Sequence, residues 1–293
     1  FGSSRFHLDA AGRFQAKGRP DGTGLMIKKE ILYGGFAFVC LLVYYKLEAP
    51  ANAAYDYWLT LAAGLQVLGF AMLAMDTTSS AAEGLSEKTL WAFIIAHVTR
   101  ISTTIWGEGY IPEDNTGDVF LYQGLEVLGV AIVVFQVMRL TAVRSTQDVG
   151  QGIERWSQVI AMCGVSAILA YFTKSTGHDD YWADLSWMFS TWLEAFALGP
   201  QVYLLVTGAC YVDESAAHFA GLTLGSAVVF TAFWGRVTRD RYREFDQDGD
   251  HTFFHAILTA CFIRVALCTT YVYLFTKQTK KRPDYELCAH DEL

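Results

Sequence analysis

The chain has 293 residues, 53% of them hydrophobic and only 18% charged, with a mean hydropathy of +0.25. That is too apolar for an ordinary soluble domain and calls for a lipid surrounding. The net charge of −8 comes without a basic surface for nucleic acid, and no nucleotide loop, catalytic triad or redox motif supports enzyme activity.

Residues 1–30 read as a polar arm. Its first 24 residues are rich in Gly, Ser and Arg and poor in acids, the composition of a disordered cytoplasmic arm or of a targeting remnant, and the chain begins at Phe1 as a processed or incomplete one would. Eight apolar stretches follow, over 31–47, 55–75, 90–106, 119–140, 156–172, 185–206, 216–235 and 253–275. Each approaches the ~20 residues that span a bilayer as a helix. Lipid offers the backbone no hydrogen bonds, so helices are expected. The expected fold is all-α and polytopic, with about eight spans. Residues 282–293 form a polar C-terminal tail.

Lysine and arginine favour the cytoplasmic side of short loops. With eight spans, fourteen of the 22 Lys and Arg residues fall on the side shared by the two termini, six on the other, and Arg100 and Arg264 within spans. Both termini are therefore expected in the cytoplasm, or on the matrix or stromal side of an organelle membrane. Five of the six cysteines lie in or near spans, where thiols act as small apolar fillers, and no metal spacing or disulfide framework appears. The loop Asp246-Gln-Asp-Gly-Asp-His-Thr-Phe resembles half of a calcium loop. With His251 at position six and Ile257 at position twelve it reads as a solvated acidic loop.

Two segments carry polar groups into the apolar stretches. The first runs from Gly84 through Ser86 and Lys88 to His97 and Arg100 in the third span. An arginine at that depth costs about 2.5–3.5 kcal/mol on insertion scales, so it is paired or lines a wet cavity suited to an anion or carboxylate. His97, on the same face, is a candidate ligand for a pigment or metal, but reads first as a helix-packing or hydrogen-bonding histidine. Arg264, in the eighth span, reads as structurally paired. The second segment places Asp184, Trp187, Thr191 and Glu194 on one face of the sixth span, with Trp192 off that face and Pro200 as a kink. Glu194 in mid-span needs a partner or a proton. Arg100, Asp184, Trp187 and Glu194 are the candidate ligand-binding residues. No catalytic residue, metal or cofactor is assigned.

Gly84-x-Ser86-x-Lys88 with Arg100 beyond it, then Trp187-x-Phe189-Ser190-x-x-Leu193-Glu194 with Pro200-Gln201, resembles the KDEL receptors, or ER lumen protein-retaining receptors. The resemblance covers 54–281, including His218, Leu224-Gly225 and Thr276-Lys277, and leaves 31–47 as an added first span, similar to receptor-related proteins in plants. It implies two three-helix, PQ-loop-like repeats, as in SWEET transporters, around a polar cavity. Such receptors bind the C-terminal Lys/His-Asp-Glu-Leu tails of escaped ER proteins, more tightly at acidic pH, and return them from Golgi to ER. By the resemblance, Arg100 meets the peptide, while Asp184, Trp187 and Glu194 match the acid, tryptophan and buried glutamate of the fifth family helix.

The departures fall on the peptide cradle. Trp58 stands for the first-helix arginine, Leu65 for the pH-sensing histidine, Ile101 and Thr103 for a tyrosine and an aspartate, Ser226-Ala227 for a Tyr-Arg pair, and Thr269 for an acid. The chain itself ends in His290-Asp291-Glu292-Leu293, an address only when exposed to the ER lumen, whereas the topology above keeps it cytoplasmic. The expected function is therefore that of a receptor-like protein of the ER and Golgi membranes with altered or lost tail binding. The alternatives are a structural or assembly subunit of a larger, possibly organellar, membrane complex, and a small-solute transporter. The partners in view are membrane lipids, HDEL or KDEL peptides, and other membrane subunits.

Overall fold

The computed structural model describes residues 29–46, 54–75, 85–106, 119–147, 156–174, 181–207, 214–244 and 251–280. The arm at 1–24, the acidic loop at 246–250 and the terminal His-Asp-Glu-Leu lie outside them. The described residues form helices and no strand: α1 (Lys29–Lys46), α2 (Ala54–Met75), α3 (Glu87–Trp106), α4 (Val119–Gln147), α5 (Trp156–Thr173), α6 (Tyr181–Phe196), α7 (Gly199–Thr207), α8 (Glu214–Glu244) and α9 (His251–Lys280). The chain divides into two compact units, Phe1–Val39 and Cys40–Leu293. Helix α1 begins in the first, where Ile31, Phe38 and Val39 are exposed.

Each of the eight apolar stretches is helical. The sixth breaks in two at Ala197-Leu198, where α6 ends and α7 begins. Proline explains the break, because Pro200 has no N–H to give and fits only the first turn of a new helix. Five stretches are long and apolar enough to cross a membrane: Tyr57–Met75, Leu121–Ala142, Trp156–Thr173, Ala216–Asp240 and Thr252–Gln278. Helices α3 and α6 carry the polar segments and are buried along most of their length. Neighbouring helices shield them, which is why apolar composition alone does not mark them.

Within the second unit, six helices pack in a closed ring: α2 on α4, α4 on α3, α3 on α6, α6 on α9, α9 on α8, and α8 back on α2. Helix α5 packs on α6, and α7 on α9. Small residues set the closest approaches. A Cβ on Gly69 of α2 would lie 3.4 Å from Leu222 of α8, and one on Gly129 of α4 would lie 3.4 Å from Val67 of α2. Apolar layers fill the ring on either side of a polar middle. One gathers Phe70, Phe93, Leu193, Phe219 and Tyr271, the other Leu59, Trp187, Phe230, Trp234 and Ile257.

Candidate functional site

Helix α3 starts at Ser86, whose Oγ accepts from the Thr89 N–H at 3.2 Å, the bond expected of an N-cap serine. Two further bonds tie this cap to α7. The Ser86 N–H donates to Gln201 Oε1 at 2.6 Å, and the Gln201 N–H donates to Thr89 Oγ1 at 3.1 Å. The start of α3 at Ser86 and the start of α7 at Gln201, 115 residues apart in sequence, are therefore tied to one another. Beside them Lys88 Nζ sits over the Trp156 ring, 3.9 Å from its centre.

From this clamp α3 runs fourteen residues, about 21 Å, to Arg100, which is 3% exposed. Arg100 Nη2 donates to Glu194 Oε2, its Nε donates to Ser190 Oγ at 3.4 Å, and its Nη1 lies 3.6 Å from Glu126 Oε1. Glu194 carries a second cation, with Arg264 Nη2 2.7 Å from its Oε1. That same nitrogen donates to Gln66 Oε1 at 3.2 Å and to Ser226 Oγ at 3.3 Å, while Ser226 Oγ donates to the Ala62 carbonyl at 2.8 Å. Glu126 Oε2 faces His97 Nδ1 at 2.5 Å. The Phe230 ring lies under both guanidinium groups, 5.8 Å from Arg100 Cζ and 5.5 Å from Arg264 Cζ.

Two guanidinium groups thus face two carboxylates, with His97 as a fifth polar member of the cluster. Buried charges are tolerated only when paired and hydrogen-bonded, and here each has an opposite charge within 4 Å. Each ring helix supplies at least one polar group to this centre: Gln66 from α2, Arg100 and His97 from α3, Glu126 from α4, Glu194 and Ser190 from α6, Ser226 from α8 and Arg264 from α9. The space left among them is a cavity of about 20 Å³, room for about one water.

Of the four residues singled out in the sequence, Arg100 and Glu194 come together and line this cavity. Asp184 and Trp187, though buried on the same helix as Glu194, are not among its lining residues. Trp187 packs against Trp234 and Phe253, at 5.2 and 6.1 Å between ring centres, and its carbonyl accepts from Ser190 Oγ at 2.7 Å. Trp192, off that face, donates through Nε1 to Thr173 Oγ1 of α5 at 3.0 Å. Glu126 and Gln66 escaped the sequence reading. Glu126 had a signal, a lone carboxylate within an apolar stretch; Gln66, neutral and single, had none.

The model of the ER lumen protein retaining receptor family matches residues 81–236, more than half of the chain and both polar segments. The chain belongs to this family. No individual curated protein matches it. Retaining receptors are receptors and not enzymes, and the matched residues include Arg100 and Glu194. At the departures from the family pattern this retaining-receptor chain has small or apolar groups. Trp58 is 37% exposed, and Leu65 lies against Gly225. Ala227 is fully buried, and Thr103 turns its hydroxyl onto the Arg100 carbonyl at 2.7 Å. Ser226 Oγ accepts from the same Arg264 nitrogen that lies against Glu194.

Proposed function

We propose that this chain is a KDEL-receptor-like protein of the ER and Golgi membranes whose capacity to bind retrieval signals is altered or lost. The observation that carries the reading is internal neutralisation. Arg100 and Arg264 share Glu194, and Glu126 stands on the other side of Arg100, so no guanidinium is left to meet an incoming carboxylate without breaking an existing pair. The 20 Å³ cavity is also far below the roughly 300–1,000 Å³ that ligand pockets provide. The packing order supports two repeats of PQ-loop type. Helix α4 lies between α2 and α3, and α9 between α6 and α8, so the third helix of each set separates the first two. On this reading α2 to α9 make up the receptor-like domain, 54–281, and α1 is the extra span.

Titration of the purified protein with an HDEL-ending peptide, at about pH 5.5 and about pH 7.4 to bracket histidine titration, tests the proposal. Two missing charged partners weaken binding by roughly three orders of magnitude relative to a receptor with the full cradle. Tight, acid-favoured binding would overturn it. A second reading, a subunit of a larger membrane complex, draws on α5, which exposes Trp156, Ile160, Ile168, Tyr171 and Phe172. Stoichiometric co-purification with other membrane proteins would favour it, and cycling between Golgi and ER would count against it.

A further inference from the structure

Two buried nitrogens of the central cluster have no hydrogen-bond partner: His97 Nε2 and Gln66 Nε2. The residues are 4% and 2% exposed, and both line the same cavity. Neither can turn to satisfy itself. Gln66 is held by its other amide atom, Oε1, which accepts from Arg264; flipping the amide would set N–H groups against a guanidinium that can only donate. His97 is held by Nδ1 on Glu126. Its ring is stacked on Phe93 with planes 21° apart and meets Phe70 edge-on at 5.9 Å. A buried polar atom without a partner is costly, and here two belong to residues that line one small cavity.

We propose that this cavity is a binding site for one ordered water, held between Gln66 Nε2 and His97 Nε2. The polarity of the two groups defines the occupant. Gln66 Nε2 offers only N–H donors. The site takes His97 as the Nδ1–H tautomer facing Glu126, which leaves a lone pair at Nε2. A cation would be repelled by the first group and an anion by the second, and the two guanidinium groups already face two carboxylates. The occupant must be neutral, accept one hydrogen bond and donate another within about 20 Å³, which is the description of water. The water joins the α2 side of the cluster to the α3 side, a link that no direct side-chain bond makes. This inference is independent of the loss of tail binding, since a peptide-binding and a peptide-blind protein could both hold it.

Solid-state NMR of the full chain in lipid bilayers, with 15N-labelled histidine, tests it, the His97 signals being assigned by their loss in His97→Phe. The expected result is a neutral ring protonated at Nδ1, with magnetisation passing rapidly from water to the Nε2 environment. In Gln66→Met that transfer should fall severalfold while the Nδ1–H signal persists. A wild-type Nε2 with no water contact overturns the site, as does undiminished transfer in Gln66→Met, or an imidazolium carrying a proton at Nε2. The wild-type spectrum decides alone if the variant does not fold.

Discussion

Glu194 holds two guanidinium groups that arrive from helices far apart in the chain, one through each carboxylate oxygen. Its replacement by glutamine keeps the size and removes the charge, leaving Arg100 with Glu126 at 3.6 Å and Arg264 with neutral partners only. Breaking one side of a buried pair costs about 3–5 kcal/mol. Glu194→Gln should therefore lower the thermal unfolding temperature of the detergent-solubilised protein sharply, and Glu194→Gln with Arg264→Met should cost less than the two single changes summed. Additive losses would show that Glu194 and Arg264 are not coupled. Arg100 and Glu194 were legible in the sequence because a charge among apolar residues demands an explanation. Glu126 met the same criterion in the fourth stretch and was passed over, since no motif surrounded it. Gln66 was illegible, because a neutral amide in a span is ordinary until its neighbours are known.

The two motifs of the chain turn out to be one joint. Ser86, Thr89 and Gln201 exchange three buried hydrogen bonds, which fix the start of α3 against the start of α7. Gln201→Leu removes the acceptor for the Ser86 N–H and leaves that donor buried, a loss of about 1–3 kcal/mol. Ser86→Ala removes only the cap, about 1 kcal/mol. Thermal unfolding should rank Gln201→Leu as the more damaging, and the reverse order would mean that α7 contributes little to the cap. The apolar pattern located every helix, because lipid imposes length and composition together. It merged α6 and α7 into one stretch kinked at Pro200, since the residues on both sides of the proline are equally apolar, whereas the structure divides them at Ala197-Leu198. The joint was beyond reach of the pattern, because hydrogen bonds across 115 residues leave no periodic trace.

At the scale of the second unit, the ring brings polar groups from each of six helices into one cluster. The expected membrane topology, eight spans with both termini on the basic side, predicts that tags at the two ends will be cleaved or protected together in sealed vesicles. Opposite accessibility would mean that one of the eight stretches does not cross, α1 being the first suspect. The interleaved order of the ring could not be read from the sequence, as it depends on which faces meet. The central cluster also bears on synthesis, which delivers helices in chain order. Arg100 emerges on α3, and its first opposite charge, Glu126, comes with the very next helix. Glu194 follows on α6, and Arg264 arrives only with α9. Glu126 is thus available to Arg100 before Glu194 is made and stays beside it in the finished fold, while the ring stays open until its last helix is made. A ribosome stalled before α9 would leave Glu194 with one cation instead of two, and the resulting fragment should be a preferred substrate for membrane quality control.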